Sequence, residues 1–227
     1  MTDKETIERM VGRPLAWTID PLLAGVPAAG RLITAKVGPE LVWSCCRELY
    51  RARTAPRAFR ALFSALWVLD HPRVKADTGR DTLAAMLEFG EFERLGGDVA
   101  TVWRGGQGQA AETVAAGWSW STSYRWAAWF AVSTVPGEPG GAPSVVVAEV
   151  PPGQCYIVPG RLSELAGEVL LVEPPASVLV AGSPVEWEAE AAKAEATRLA
   201  SRPLGLLADA GEVLRWAVSS TGTEGAA

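Results

Sequence analysis

Apolar residues over the first hundred positions recur at helical spacing. Leu41, Val42, Cys45, Cys46 and Leu49 share one helical stripe, and after a Thr54-Ala55-Pro56 start signal Phe59, Leu62, Phe63, Leu66 and Leu69 share another. The pattern predicts two amphipathic helices. His71-Pro72 opens a turn-rich stretch running to Gly79. A third helix is expected over 81–95, with Asp81 as its cap, Leu83, Met86, Leu87 and Phe89 as its buried face and Gly96-Gly97 as its stop. From Val99 the period shortens to that of strands. Short β-rich runs at 99–104, 117–121, 144–150, 155–158, 168–172 and 178–181 are separated by Gly and Pro clusters at 136–143, 151–153 and 174–175. Ser123 stands ready to cap a short helix carrying Trp126, Ala127, Phe130 and Ala131, and the stretches 185–200 and 204–218 return to helical patterning. The expected organisation is α+β. Residues 1–97 form a mainly helical region, 98–218 a mostly β region with C-terminal helices, and 219–227 a frayed tail.

Composition narrows the class of protein without changing this layout. The chain has 227 residues, enough for a fair-sized core, and its 48% hydrophobic and 21% charged residues suit a globular protein; ten Trp point to several aromatic packing sites. No apolar run reaches the roughly 18 residues that span a bilayer, and MTDKETIERM is charged where a secretory signal would be apolar. A cytoplasmic protein without membrane partners is the expectation. Cys45, Cys46 and Cys155 have neither a disulfide framework nor metal-ligand spacing, so they are expected as buried free thiols with no metal site. The net charge of −5 is uneven: residues 1–100 carry 14 Lys and Arg against 13 Asp and Glu, residues 101–227 only 7 against 13. That balance argues against a broad polyanion-binding surface on the second half.

Three segments bring chemistry into the picture, in the order Val102-Trp103-Arg104-Gly105-Gly106, Gly117-Trp118-Ser119-Trp120-Ser121-Thr122-Ser123 and Ser163-Glu164-Leu165-Ala166-Gly167-Glu168-Val169-Leu170-Leu171. Alternation along the second puts Trp118 and Trp120 on one face and Ser119 and Ser121 on the other, so the indoles enter a core while the hydroxyls line a cleft. Singly, each motif has an ordinary meaning: hydroxyls on a solvated strand face, or an Arg before a glycine turn. The glycines at 105–108 lack the Lys of a phosphate-binding P-loop and the spacing of a dinucleotide fingerprint. His71 beside Pro72 reads as a structural or solvated histidine. Arg47, Arg51, Arg53, Arg57 and Arg60 read as a solvated helix face, with contact to a nucleic acid or an acidic partner as the alternative.

Together and in this order, VWRGG, WSWSTSYRWAAWFA and SELAGEVLL resemble the three signature regions of the arginine-serine-glutamate class of ADP-ribosyltransferases, over about residues 99–182. The resemblance implies a split β-sheet core preceded here by a helical region, with NAD as co-substrate and no metal. Arg104, Ser121 and Glu168 match the family's catalytic positions, and Phe130-Ala131 matches its helix. By that resemblance Glu168 faces the ribose and stabilises an oxocarbenium-like state, Arg104 binds phosphate and Ser121 orients Glu168. Gly105 and Gly106 would let the backbone approach the nicotinamide amide, Thr122 lies beside the cofactor, and Tyr124 or Trp126 would stack on the nicotinamide. Arginine-modifying members carry a second Glu two residues before the catalytic one; Ala166 stands there in this chain, and Glu164 does not replace it. The expected activity is mono-ADP-ribosyl transfer to an unknown acceptor, protein or nucleic acid, as in bacterial or phage enzymes. An NAD glycohydrolase toxin, or a non-catalytic binding or inhibitory protein, remains open.

Overall fold

The computed structural model describes residues 3–107, 109–133, 142–158, 166–201 and 206–221. The chain forms two compact units, one from Met1–Phe92 with Pro203–Ala227, the other from Glu93–Arg202. The architecture is α+β, as the patterning implied: helices throughout, and one six-stranded sheet whose pairings are all antiparallel. Among the described residues no helix is long and apolar enough to cross a membrane, and no group of acidic, His and Cys side chains could hold a metal ion.

The first unit contains α1 (Asp3–Val11), a 3-10 turn (Arg13–Thr18), α2 (Ile19–Leu23), α3 (Pro27–Val37), α4 (Pro39–Ala52), α5 (Pro56–Asp77) and α6 (Arg80–Phe89). Proline opens α3, α4 and α5, where its missing N–H costs nothing and its fixed φ suits the first turn. Phe59, Phe63 and Trp67 stack one turn apart along α5, with centroid separations of 5.5 and 5.9 Å, and form the aromatic spine of the unit. Gly30 lets α3 lie directly on α5: a Cβ there would sit 2.6 Å from the Ala61 carbonyl carbon.

Several boundaries differ from the sequence reading. Of the stretch expected as turns from His71 to Gly79, the part as far as Asp77 is helical, and Thr78 and Gly79 are extended. Asp70 alone leaves the helical region, at φ −152° and ψ 48°, and Pro72 falls in the first turn of the new leg, where it is tolerated. The Asp70 carboxylate receives a 2.7 Å hydrogen bond from Arg73 Nε across that start. Leu41 and Leu69, expected on buried stripes, are exposed: Leu41 sits in the first turn of α4 at the flank of its apolar face, and Leu69 ends the first leg of α5, beside the break at Asp70. The third helix starts after Gly79 without a side-chain cap from Asp81, and it ends at Phe89 rather than Leu95. Pairing wins over helix propagation there: Leu95 N donates to Cys155 O at 3.0 Å and Ile157 N donates to Glu93 O at 2.7 Å.

A further helix, α10 (Leu206–Thr221), groups with the helical unit, although its position in sequence had assigned it to the β region. Arg31 on α3 donates to Asp209 Oδ1 from Nε and Nη2 at 3.0 and 2.9 Å, and Val213 is fully buried. The helix extends to Thr221 into the expected tail; residues 222–227 lie outside the described residues.

The second unit is built on β1 (Ala100–Gln107), β2 (Ser119–Ser121), β3 (Pro143–Val150), β4 (Cys155–Ile157), β5 (Glu168–Leu171) and β6 (Leu179–Val180), in the order β4-β5-β2-β1-β3-β6. Its helices are α7 (Ala111–Ala115), α8 (Tyr124–Val132) and α9 (Pro184–Ala200). Alternation gives the sheet two apolar faces. One carries Val102, Trp120, Val146, Ala148, Val169 and Leu171 with Val114 of α7; the other carries Val145 and Trp103 beneath Ala127, Ala128 and Ala131 of α8 and Trp187 of α9. All six expected strands are present.

The three cysteines are free and buried, as expected. Burial pushes the Cys45 thiol up to about 12, helped by Glu48, and the Cys155 thiol up to about 11; burial and then Cys45 raise Cys46 well above the ordinary thiol value. A thiol held this high has almost no thiolate near neutrality. An aromatic disulfide reagent at about pH 8 is therefore expected to leave all three unreacted in the native protein and to titrate all three after denaturation. Rapid native reaction would contradict the packing described for them.

Candidate functional site

The central strands β1, β2 and β5 bring the three signature segments side by side. Trp103 pairs with Ser121, and Ser121 pairs with Glu168, so these three positions form a row across the sheet. Residues directly opposite in antiparallel strands point to the same face. Ser119, two residues before Ser121, shares that face; Trp120, between them, is buried on the other. Arg104 follows Trp103 and therefore leaves the sheet on the Trp120 side, opposite Val146.

The hydrogen bonds assign roles that differ from the motif alignment. The hydroxyl that donates to Glu168 Oε1 belongs to Ser119, not Ser121. Ser121 is buried, 3% exposed, and its hydroxyl lies on the Ala166 carbonyl and 3.0 Å from the Ser123 carbonyl while accepting from Ser123 N at 2.9 Å. A serine has one proton to give, and here it serves the backbone. The chain needs this tie because Glu168 begins β5 immediately after Gly167, which sits at φ +58°. Thr122 secures the same turn, with its N donating to Gly167 O at 2.9 Å and its hydroxyl at 3.2 Å. Ser121 and Thr122 thus act on the approach to Glu168 rather than on its carboxylate.

Arg104 is half-buried, and its Nη1 donates to the Ser119 carbonyl. Gly117 makes room for it: a Cβ there would overlap the guanidinium. The two glycines after Arg104 also have packing duties. Gly105 admits α8, since a Cβ would sit 2.7 Å from the Ala131 nitrogen and closer still to the Ala127 carbonyl oxygen; a Cβ on Gly106 would run into Val114. Gly105, expected to let the backbone come close to a nicotinamide amide, has the side where a Cβ would stand covered by α8. Phe130, part of the matched helix, is exposed, whereas Ala131 is buried against the sheet.

The two aromatic residues proposed as stacking partners are placed differently from one another. Trp126 is 3% exposed and enclosed by Ala166, Ala194 and Trp129, so neither face of its indole is open. Tyr124 is half-buried beside Ala127 and Trp187, with its hydroxyl against Gly182; burial, then the carboxylates of Glu186 and Glu190, raise its phenol above the ordinary value. Trp103, which the motif comparison passed over, is the aromatic residue in the row of Ser121 and Glu168. Strand alternation applied to VWRGG would have found it. Ala166 points into the Trp126 cluster, 1% exposed, so a side chain at this position is directed into apolar packing. Glu164 lies outside the described residues.

The remaining candidates have local partners. Arg47 pairs with Asp77 at 3.6 Å and lies over Trp43, Arg53 stacks on Tyr50 at 4.4 Å, and Arg60 Nη1 donates to Glu91 O at 2.8 Å. Much of the arginine cluster thereby stitches the helical unit together. His71 is exposed, its ring 5.8 Å from that of Trp67. No family model matches this chain, and neither a curated protein nor a solved structure matches it significantly.

Proposed function

We propose that this protein is an NAD-cleaving enzyme of the ADP-ribosyltransferase type, built on a split-sheet core, with Glu168 as the catalytic carboxylate. The observation that carries the reading is the adjacency of the three segments: neighbouring strands set the Ser119 and Ser121 hydroxyls and Glu168 on one face and Arg104 on the other, and hydrogen bonds run from Arg104 to the Ser119 carbonyl and from the Ser119 hydroxyl to Glu168. Breaking the nicotinamide-ribose bond develops positive charge on the ribose. A fixed carboxylate stabilises that charge where it appears, and one already held by a hydroxyl donor need not reorganise to do so. A guanidinium suits phosphate oxygens, but Arg104 leaves the sheet on the face opposite Glu168, so its part beside that carboxylate is to hold the Ser119 backbone. Trp103, half-buried beneath α8, is the aromatic side chain of the same row.

A second reading, NAD hydrolysis, draws support from Ala166. The position that activates an acceptor in arginine-modifying enzymes holds a methyl group packed on Trp126. Without a second carboxylate there, water is a competent acceptor, and the product is free ADP-ribose.

NAD labelled in both the nicotinamide and the adenylate, incubated with purified protein and cell lysate, tests both readings. Nicotinamide release with adenylate label on a macromolecule supports transfer. Release without such label supports hydrolysis. No release of nicotinamide overturns the proposal.

A further inference from the structure

The geometry points to Ser119 as the positioning residue that couples Arg104 to Glu168, an assignment that rests on the functional reading above and names a residue outside the arginine-serine-glutamate set. Ser119 touches both charged groups through different atoms. Its backbone carbonyl accepts from Arg104 Nη1, and its hydroxyl donates to Glu168 Oε1. The two contacts are compatible because a strand carbonyl lies near the plane of the sheet while the side chain stands perpendicular to it. Arg104 leaves the sheet on the Trp120 face and Glu168 on the other. A single residue between them can therefore hold both, and its carbonyl is within reach of the guanidinium because Gly117 has no side chain.

Ser121 is a poor substitute in this arrangement. It stands directly opposite Glu168 in register, yet its hydroxyl is engaged by Ala166 O and by Ser123, and it is almost fully buried. Ser119 is half-buried and lies diagonal to Glu168 across β2 and β5, a separation that a glutamate side chain spans. A neutral hydroxyl at this place donates to the carboxylate without competing for protons.

Ser119→Ala keeps the carbonyl that receives Arg104 and deletes the donor to Glu168. Loss of one hydrogen bond to a charged group corresponds to about a tenfold to hundredfold fall in kcat for nicotinamide release, with KM for NAD changed by less than about threefold. Ser119→Thr, which restores a hydroxyl on a residue that strands favour, is expected to recover most of the kcat. A second readout does not depend on turnover: the side-chain carboxyl carbon resonance of Glu168, in protein labelled at the glutamate carboxyl carbon and identified by its loss in Glu168→Gln. It should move in Ser119→Ala and return in Ser119→Thr. If that resonance responds to Ser119→Ala while the wild type releases no nicotinamide, the link stands and the enzymatic reading falls. If the wild type turns over NAD but Ser119→Ala changes neither kcat nor the resonance, or if the resonance follows Ser121→Ala alone, the assignment is overturned.

Discussion

Glu168→Gln is expected to lower nicotinamide release by about a hundredfold to a thousandfold, the scale of losing one preorganised electrostatic group at a reacting centre. The substitution is nearly isosteric. An amide oxygen can still accept from Ser119, and the backbone pairing of β5 with β2 is untouched, so what is removed is the negative charge. Glu168 is half-buried at the first position of β5, outside the apolar clusters that fill the two faces of the sheet. Stability should therefore change by no more than about 0.5 kcal/mol, as for other substitutions outside the core. Steady-state nicotinamide release together with a thermal melt separates the two effects. Near-wild-type turnover in Glu168→Gln, with the melt unchanged, would remove Glu168 from the chemistry.

Gly105→Ala has the largest expected effect on folding. Overpacking typically costs about 1–3 kcal/mol when side chains can move aside. Here the obstructing atoms are backbone, the Ala127 carbonyl oxygen and the Ala131 nitrogen of α8, and rotamer changes cannot relieve the overlap. The helix must lift from the sheet, exposing Ala127, Ala131 and Val145, which are now fully buried. The expected cost is about 3 kcal/mol or more, which for a unit of this size lowers Tm by roughly 10–20 °C. Gly105→Ser should behave alike, since it places the same Cβ. A melt within a few degrees of wild type would mean that α8 does not sit on Gly105. The result also separates two roles for this glycine: a ligand-facing Gly105 would lose NAD affinity without losing stability.

The layout of strands was legible in the sequence because period-two alternation bounded by Gly and Pro is a local property. Ser144 to Val150 and Glu168 to Leu171 could be read with no knowledge of their neighbours, and both lie in the strands found. The convergence of Arg104, Ser121 and Glu168 was legible only through the order of the motifs. Helix α6 shows the limit of such reading. Its apolar periodicity can be followed as far as Leu95, but the chain leaves the helix at Gly90 because Glu93 and Leu95 find backbone partners on β4, 60 or so residues away in sequence. Proline at position 72 suggested a break, and it marks the start of a new helical leg instead.

Sequence by itself determined the α+β composition, the positions of the strands, the buried state of Cys45, Cys46 and Cys155, and the presence of an Arg, two Ser and a Glu on strands that could be neighbours. These follow from periodicity and side-chain chemistry, which act within a few residues. Tertiary structure alone decided which serine holds Glu168, that Gly105 serves helix packing, that Trp126 is enclosed, and that α10 belongs with the helices of the first unit. The reason is common to all four. Each depends on what approaches from a distant part of the chain: Ser121 stands opposite Glu168 in register, yet the Ala166 carbonyl, 45 residues on, takes its hydroxyl and leaves the carboxylate to Ser119, which no property of β2 alone contains.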